Sequence, residues 1–382
     1  MKFVLAPDSF KESMTATEAV AAMKRGVLSV FPDADCVGAP MADGGEGTTE
    51  VLADALGGVV LTAPVHDALG RPVQARYGYV DSQHLAIIEI AAAAGIDLVA
   101  VADRDPKAAS SYGVGELIGH ALDHGATRFI VGLGGSVTND GGAGMLEALG
   151  ARLLDDAGAD LPRGGAALAR LHRIDLAAFD PRLAGTTVQI ASDVTNPLLG
   201  ATGASAVFGP QKGADPATVR RLDAALSVYA AVVAALTGTD VAVVPGAGAA
   251  GGLGAAFLAF FPAYMRRGVD VVMDAVRLAD RMAGADFVFT GEGSIDSQTL
   301  NGKTPLGVAE VAAVHGVPVI AFAGRIGSGA EALYDHGFVA LVPIVQGVSD
   351  LPSALVDGAA NLERAVATTC RLLGMPRGPA TV

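Results

Sequence analysis

Six short runs of this chain are predominantly apolar, without polar–apolar alternation: Phe3-Val4-Leu5-Ala6, Phe129-Ile130-Val131-Gly132, Val188-Gln189-Ile190-Ala191, Phe287-Val288-Phe289-Thr290, Val317-Pro318-Val319-Ile320-Ala321-Phe322 and Val339-Ala340-Leu341-Val342. A strand with one wet face alternates polar and apolar residues. Continuous apolar runs of this length fit strands covered on both faces, as in a parallel sheet. Helical patterns separate them. The first opens at Thr17-Glu18 and runs to Val30, with Thr15 or Thr17 as its N-cap; the others span 112–124, 142–149, 216–236 and 303–315. Strands alternating with helices predict an α/β class. Residues 60–90 break the alternation. They hold three strand-like runs and the turn Leu69-Gly70-Arg71-Pro72, the pattern of an antiparallel meander. At roughly 150 residues per domain, the length of 382 implies two or three domains, and the meander marks the start of an inserted one. The expected division is 1–60 with 286–382 for one domain and 61–285 for the other.

Composition excludes several classes. Hydrophobic residues make up 51% and charged residues 17%, so the chain can bury large cores and is not disordered. A net charge of −14 repels nucleic acid and anionic membrane at long range. Cys36 and Cys370 have no second Cys or His at metal-ligand spacing, so neither zinc nor a disulfide framework is expected. The apolar run at residues 3–6 is too short for a signal peptide. Residues 241–265 carry no charge, but Pro245, Pro262 and five glycines divide them into strand, loop and buried helix rather than a membrane span. The cytoplasm is the expected location.

The pattern richest in chemistry is positional. Five strand-like runs lead into loops that carry an acid, namely Pro7-Asp8-Ser9-Phe10-Lys11, Ala42-Asp43-Gly44-Gly45-Glu46-Gly47-Thr48, Gly134-Gly135-Ser136-Val137-Thr138-Asn139-Asp140-Gly141-Gly142, Ser192-Asp193-Val194-Thr195-Asn196-Pro197 and Gly291-Glu292-Gly293-Ser294-Ile295-Asp296-Ser297. Open parallel sheets bind ligands beyond the carboxyl ends of their strands. Carboxylates beside glycine-rich turns suggest a metal–phosphate site, because Mg²⁺ takes one or two carboxylates plus phosphate oxygens and such turns bring N–H groups close to phosphate. Lys11, Lys212 and Lys303 supply positive charge. Asp, Asn and Gly also favour turns for purely local reasons, which is the competing explanation for any one loop.

Standard nucleotide motifs fit poorly. Residues 297–304 end like a phosphate-binding P-loop but have Ser297 where its first glycine belongs. Residues 246–251 satisfy G-x-G-x-x-G, with a strand-like run at 241–244 before them and Asp270 or Asp274 about 20 residues on. That leaves an NAD-dependent dehydrogenase as the alternative function. No arrangement for covalent hydrolysis is present.

The five acid-bearing loops, together with Phe208-Gly209-Pro210-Gln211-Lys212-Gly213-Ala214 and Pro245-Gly246-Ala247-Gly248-Ala249-Ala250-Gly251-Gly252, resemble the bacterial glycerate kinase family, type 1, in order and at family spacing from the N-terminus to past Gly324. The resemblance implies two α/β domains, one flavodoxin-like and built from both chain ends, the other inserted. It implies ATP-dependent phosphorylation of D-glycerate to 2-phosphoglycerate with Mg²⁺, and it claims residues 246–251 for the kinase. Some relatives carry Arg where this chain has Ser294. On this reading Asp193 accepts the proton of the glycerate hydroxyl, with Asp8 second in line and Lys11 beside them. Ser136, Thr138, Asn139, Lys212 and Lys303 bind phosphate or substrate, and Asp43, Glu46, Glu292 and Asp296 hold the metal. The expected partners are the small molecules D-glycerate and ATP, not nucleic acid or membrane, and the sequence leaves the oligomeric state open.

Overall fold

The computed structural model describes residues 1–375, and they form two compact units. One comprises residues 1–43 and the chain from 269 onward; the other is 44–268. The strands, in chain order, are β1 (Lys2–Pro7), β2 (Asp35–Gly38), β3 (Val59–His66), β4 (Pro72–Val80), β5 (Leu85–Glu89), β6 (Arg128–Gly132), β7 (Arg152–Leu154), β8 (Arg173–Asp175), β9 (Thr187–Ala191), β10 (Ala263–Arg266), β11 (Phe287–Ile295), β12 (Val319–Ile326) and β13 (Phe338–Pro343).

The unit built from both chain ends has one sheet in the order β2-β1-β11-β12-β13, every pair parallel. Counted within the unit, this is the 2-1-3-4-5 order of flavodoxin-like folds, with its topological switch point between β1 and β11. The predominantly apolar runs are explained by burial on both faces. Phe3, Leu5, Phe289 and Phe322 are at most 2% exposed, and the Phe3 and Phe289 rings meet edge-on at 5.2 Å. Thr15 is the N-cap of helix Ala16–Leu28 and forms a reciprocal capping box with Glu18. That helix packs on helix Gly358–Leu373 so closely that a Cβ on Gly26 would lie 2.7 Å from the Glu363 carbonyl oxygen.

The inserted unit has a mixed sheet, β10-β9-β6-β5-β4-β3. Strands β10, β9, β6 and β5 run parallel, and β4 and β3 add the antiparallel meander expected at residues 60–90. Its core gathers Tyr77, Ile88, Val131, Ile190, Leu226 and Phe257. Helices Tyr112–Asp123 and Pro216–Thr237 contribute Leu117 and Leu226 to it.

Two local expectations are corrected. Residues 241–244 form no strand; the strand of that region is β10, after helix Leu253–Phe260. The expected loop at 291–297 is largely strand, since β11 continues to Ile295 in register with β12 as far as Ile326. Glycine makes this possible: a Cβ on Gly291 would lie 2.2 Å from the Phe322 carbonyl oxygen.

Candidate active site

In the unit built from both chain ends, the acids gather at the switch point. Asp8 follows β1 directly and is 8% exposed. Its N–H donates to the Gly291 carbonyl on β11 at 2.8 Å, which fixes the turn. Its carboxylate accepts from the Ser9 N–H at 2.6 Å and from the Thr304 hydroxyl at the start of helix Thr304–His315. Burial, and then the charge of Asp43, push the Asp8 carboxyl up to about 8, with Glu292 adding to the effect and the two hydrogen bonds opposing it. Glu292 lies on β11 and accepts from the Thr299 hydroxyl at 2.9 Å, with Lys303 Nζ at 3.6 Å. Burial raises its carboxyl too, Lys303 pulls it back, and Asp43 raises it further. Asp296 is used locally, as the N-cap of the 3₁₀ turn Ser297–Asn301, accepting from the Gln298 N–H at 2.8 Å. Lys11 is exposed, in the turn closed between Phe10 and Met14.

In the inserted unit, glycine-rich loops converge at the carboxyl ends of β5, β6 and β9. Loop 44–47 lies against these ends: a Cβ on Gly44 would stand 2.8 Å from the Ala191 carbonyl oxygen, and one on Gly132 only 2.4 Å from that of Gly44. Glu46 is exposed on this loop. Asp193, two residues beyond β9, is half-buried and accepts from the Gly268 N–H at 3.2 Å. The loop at 134–142 turns inward. Ser136 is 6% exposed, and Thr138, Asn139 and Asp140 are fully buried. Lys212, 2% exposed, donates to Ser136 Oγ at 2.9 Å and to the Thr138 carbonyl at 2.6 Å. Asn139 donates to Ser205 Oγ at 2.9 Å.

Three contributors escaped the sequence reading. Glu89 ends β5, accepts from the Thr49 N–H at 2.7 Å, and has its carboxyl pushed up to about 7, mainly by burial. An acid at the end of a strand-like run was the available signal. Thr304 stood at a helix start and at the end of the P-loop-like segment 297–304, with nothing to tie it to Asp8. Ser111, whose N–H and hydroxyl both hold Asp140, carried no local signal.

The structure thus collects Asp8, Asp43, Glu292 and Lys303 in one unit. In the other it collects Ser136, Thr138, Asn139 and Lys212, with Glu46 and Asp193 on neighbouring loops. Among the described residues no group of three or more His, Cys, Asp or Glu side chains is placed to hold a metal ion by itself. The dinucleotide alternative loses its structural context, because no strand precedes residues 246–251 and Ala250 and Gly251 have positive φ of 53° and 69° in place of a regular helix start.

The sheet orders and the acid-bearing strand ends define a two-unit α/β protein of the open-sheet class that binds ligands at strand carboxyl ends. The model of the glycerate kinase family matches residues 3–374, and the chain belongs to that family. It is 49% identical over 364 residues to the glycerate kinase of Bacillus subtilis (strain 168), covering 95% of each chain. It is 46% identical over 365 residues to the glycerate 2-kinase of Escherichia coli (strain K12), covering 96% of each. A crystal structure from Salmonella typhimurium LT2, described as glycerate kinase 2, matches with a TM-score of 0.86 at 47% identity over 98% of both chains.

Proposed function

We propose that the protein transfers the γ-phosphoryl group of ATP to the C2 hydroxyl of D-glycerate, giving 2-phosphoglycerate and ADP. The observation that carries this reading is the acid cluster of Asp8, Asp43 and Glu292 at the switch point, in a chain so similar over its whole length to glycerate kinases. Phosphoryl transfer asks a protein mainly for positioning and charge neutralisation.

The cluster fits Mg²⁺. Asp43 and Glu292 raise the proton affinity of Asp8, and Asp43 raises that of Glu292. This is like-charge strain that a bound cation relieves. The donors are oxygens only, and Mg²⁺ completes its shell with water and phosphate oxygens rather than with a full protein cage. One or two of Asp8, Asp43 and Glu292 would hold it together with water and phosphate oxygens, since no three of the described carboxylates are placed to do so, and when bound it neutralises charge on the phosphates. Glu46 and Asp296 take supporting places in the proposal, Asp296 through the turn it caps.

The other roles follow from chemistry. Asp193 accepts the hydroxyl proton, with its carboxylate oriented by the Gly268 N–H. Lys11 and Lys303 neutralise phosphate or the glycerate carboxylate. The loop at 134–142, exposed at Gly134 and Gly135, receives phosphate or substrate, while the buried Ser136 and Thr138 shape it from within.

The test is ADP release from ATP and Mg²⁺ with and without D-glycerate, and the phosphate position in the product read by NMR. Glycerate-dependent ADP with the phosphate on C2 is expected, and the Asp193→Asn variant should lose about 10²–10⁴-fold in turnover. Folded protein that releases no ADP with glycerate sinks the reading; phosphate on C3 sinks only the regiochemistry.

A further inference from the structure

We infer that Lys212 is a positioning residue: a buried ammonium that clips the turn at 136–140 from inside the inserted unit and pre-sets the glycine-rich loop before any ligand arrives. Its kinetic consequence rests on the kinase reading; its structural consequence does not.

Lysine is seldom buried without a carboxylate partner, because taking an ammonium out of water is unfavourable. Lys212 is 2% exposed, and its bonded acceptors are a hydroxyl, Ser136 Oγ, and a backbone carbonyl, Thr138 O. Burial pushes its ammonium down to about 7, with Asp140 pulling the other way. Asp140 is engaged elsewhere. Its carboxylate takes the Ser111 N–H and hydroxyl and the N–H groups of Gly142 and Gly144. An apolar side chain would fill the same volume at no desolvation cost, so what the ammonium adds is hydrogen bonds aimed at the loop.

The lysine is itself held rigidly. It ends the 3₁₀ turn Pro210–Lys212, and Gly213 follows at φ 96°, where a Cβ would stand 2.6 Å from the Arg104 carbonyl oxygen. The preceding helix, Ala204–Phe208, grips the same loop a second time through Ser205 and Asn139. Gly251 also closes on Thr138, since a Cβ there would lie 2.0 Å from its carbonyl oxygen, and the Gly141 N–H donates to the Gly251 carbonyl at 3.0 Å. The loop is therefore held by contacts from several segments, and Lys212 supplies two of the bonds. Preorganised donors gain their catalytic value from not having to reorganise during the reaction.

The test is Lys212→Met, which keeps volume and removes the donor. Hydrogen exchange would be followed at the amides of Val137, Gly141 and Gly142, all bonded in the native loop. The expected result is a folded protein with a melting temperature within a few degrees of the parent. Those three amides should exchange about tenfold faster or more, while amides of β6 and β9 stay unchanged. In the ADP assay, kcat should fall about 100-fold or more with the KM for ATP and glycerate altered less than about threefold. Ser136→Ala removes one acceptor without touching the lysine and should loosen the same amides to a smaller degree, which keeps the test alive if Lys212→Met fails to fold. Unchanged loop exchange in a folded Lys212→Met protein overturns the inference. So does a loss confined to KM, which would make Lys212 a ligand contact. A parent protein silent with glycerate defeats the kinase reading alone and leaves the exchange measurement to decide.

Discussion

At the scale of single residues, buried charge marks where this protein trades stability for something else. Glu89 is the cleanest case. Its carboxyl is raised from the usual range to about 7 by burial, although the Thr49 N–H bond to it works in the opposite direction. A raised folded-state value means that folding favours the protonated form. The sign follows from linkage. Below the unfolded value near 4.5 the group exacts no penalty; stability is lost as pH climbs from there to about 7 and stays lost above it. Glu89→Gln keeps a carbonyl to accept the Thr49 N–H but has no charge to desolvate. Urea denaturation should therefore find the variant more stable than the parent at pH 8, by up to about 3 kcal/mol, and nearly equal to it at pH 4.5. A variant less stable at pH 8 would show that the ionised form is held by interactions stronger than its desolvation.

At the scale of elements, the central pairing of β11 with β12 carries both fold and site. Gly291 lets β11 run on to Ile295, and this places Glu292 on a strand rather than on a loose turn. Gly291→Ala drives a methyl group to within 2.2 Å of the Phe322 carbonyl oxygen, backbone that cannot swing aside. The two strands must part, and a loss of about 1–3 kcal/mol is expected from thermal or urea unfolding. An unchanged melting temperature would mean the strands are not held as tightly as the register implies. The same element shows what the sequence could reveal. The predominantly apolar runs identified six of the nine strands that pair in parallel, and Thr15 or Thr17 ahead of an alanine-rich stretch marked a helix start, because burial on two faces and capping both leave local signatures. The glycine and acid text at 291–297 read as loop because a glycine needed for close strand approach looks the same as a glycine needed for a turn. The apolar run at 241–244 read as strand because its period does not say whether a partner lies alongside. Asp8, Glu292 and Asp193 were visible as acids after strands. The roles of Thr304 and Ser111 arise only from contacts hundreds or tens of residues apart along the chain, as in the Thr304 bond to Asp8, and no local pattern encodes them.

At the scale of the whole molecule, the net charge of −14 sets the field through which ligands arrive. Among the described residues no helix is long and apolar enough to cross a membrane. Under the proposed function both substrates are anions, and their long-range approach is opposed rather than steered. Local cations such as Lys11 and Lys303 act only at close range, where screening is weak. The long-range part is screened with a Debye length of about 30 Å at 0.01 M salt and about 8 Å at 0.15 M. Raising KCl from 10 to 150 mM at fixed free Mg²⁺ should therefore increase kcat/KM for glycerate, by a few-fold at most, while kcat, which is measured after encounter, stays level. A basic patch dominating the approach would give the opposite slope. A fall in kcat/KM over that range would mean that local lysines, not the net charge, govern capture, and that the acids at the switch point are already neutralised when the substrate arrives.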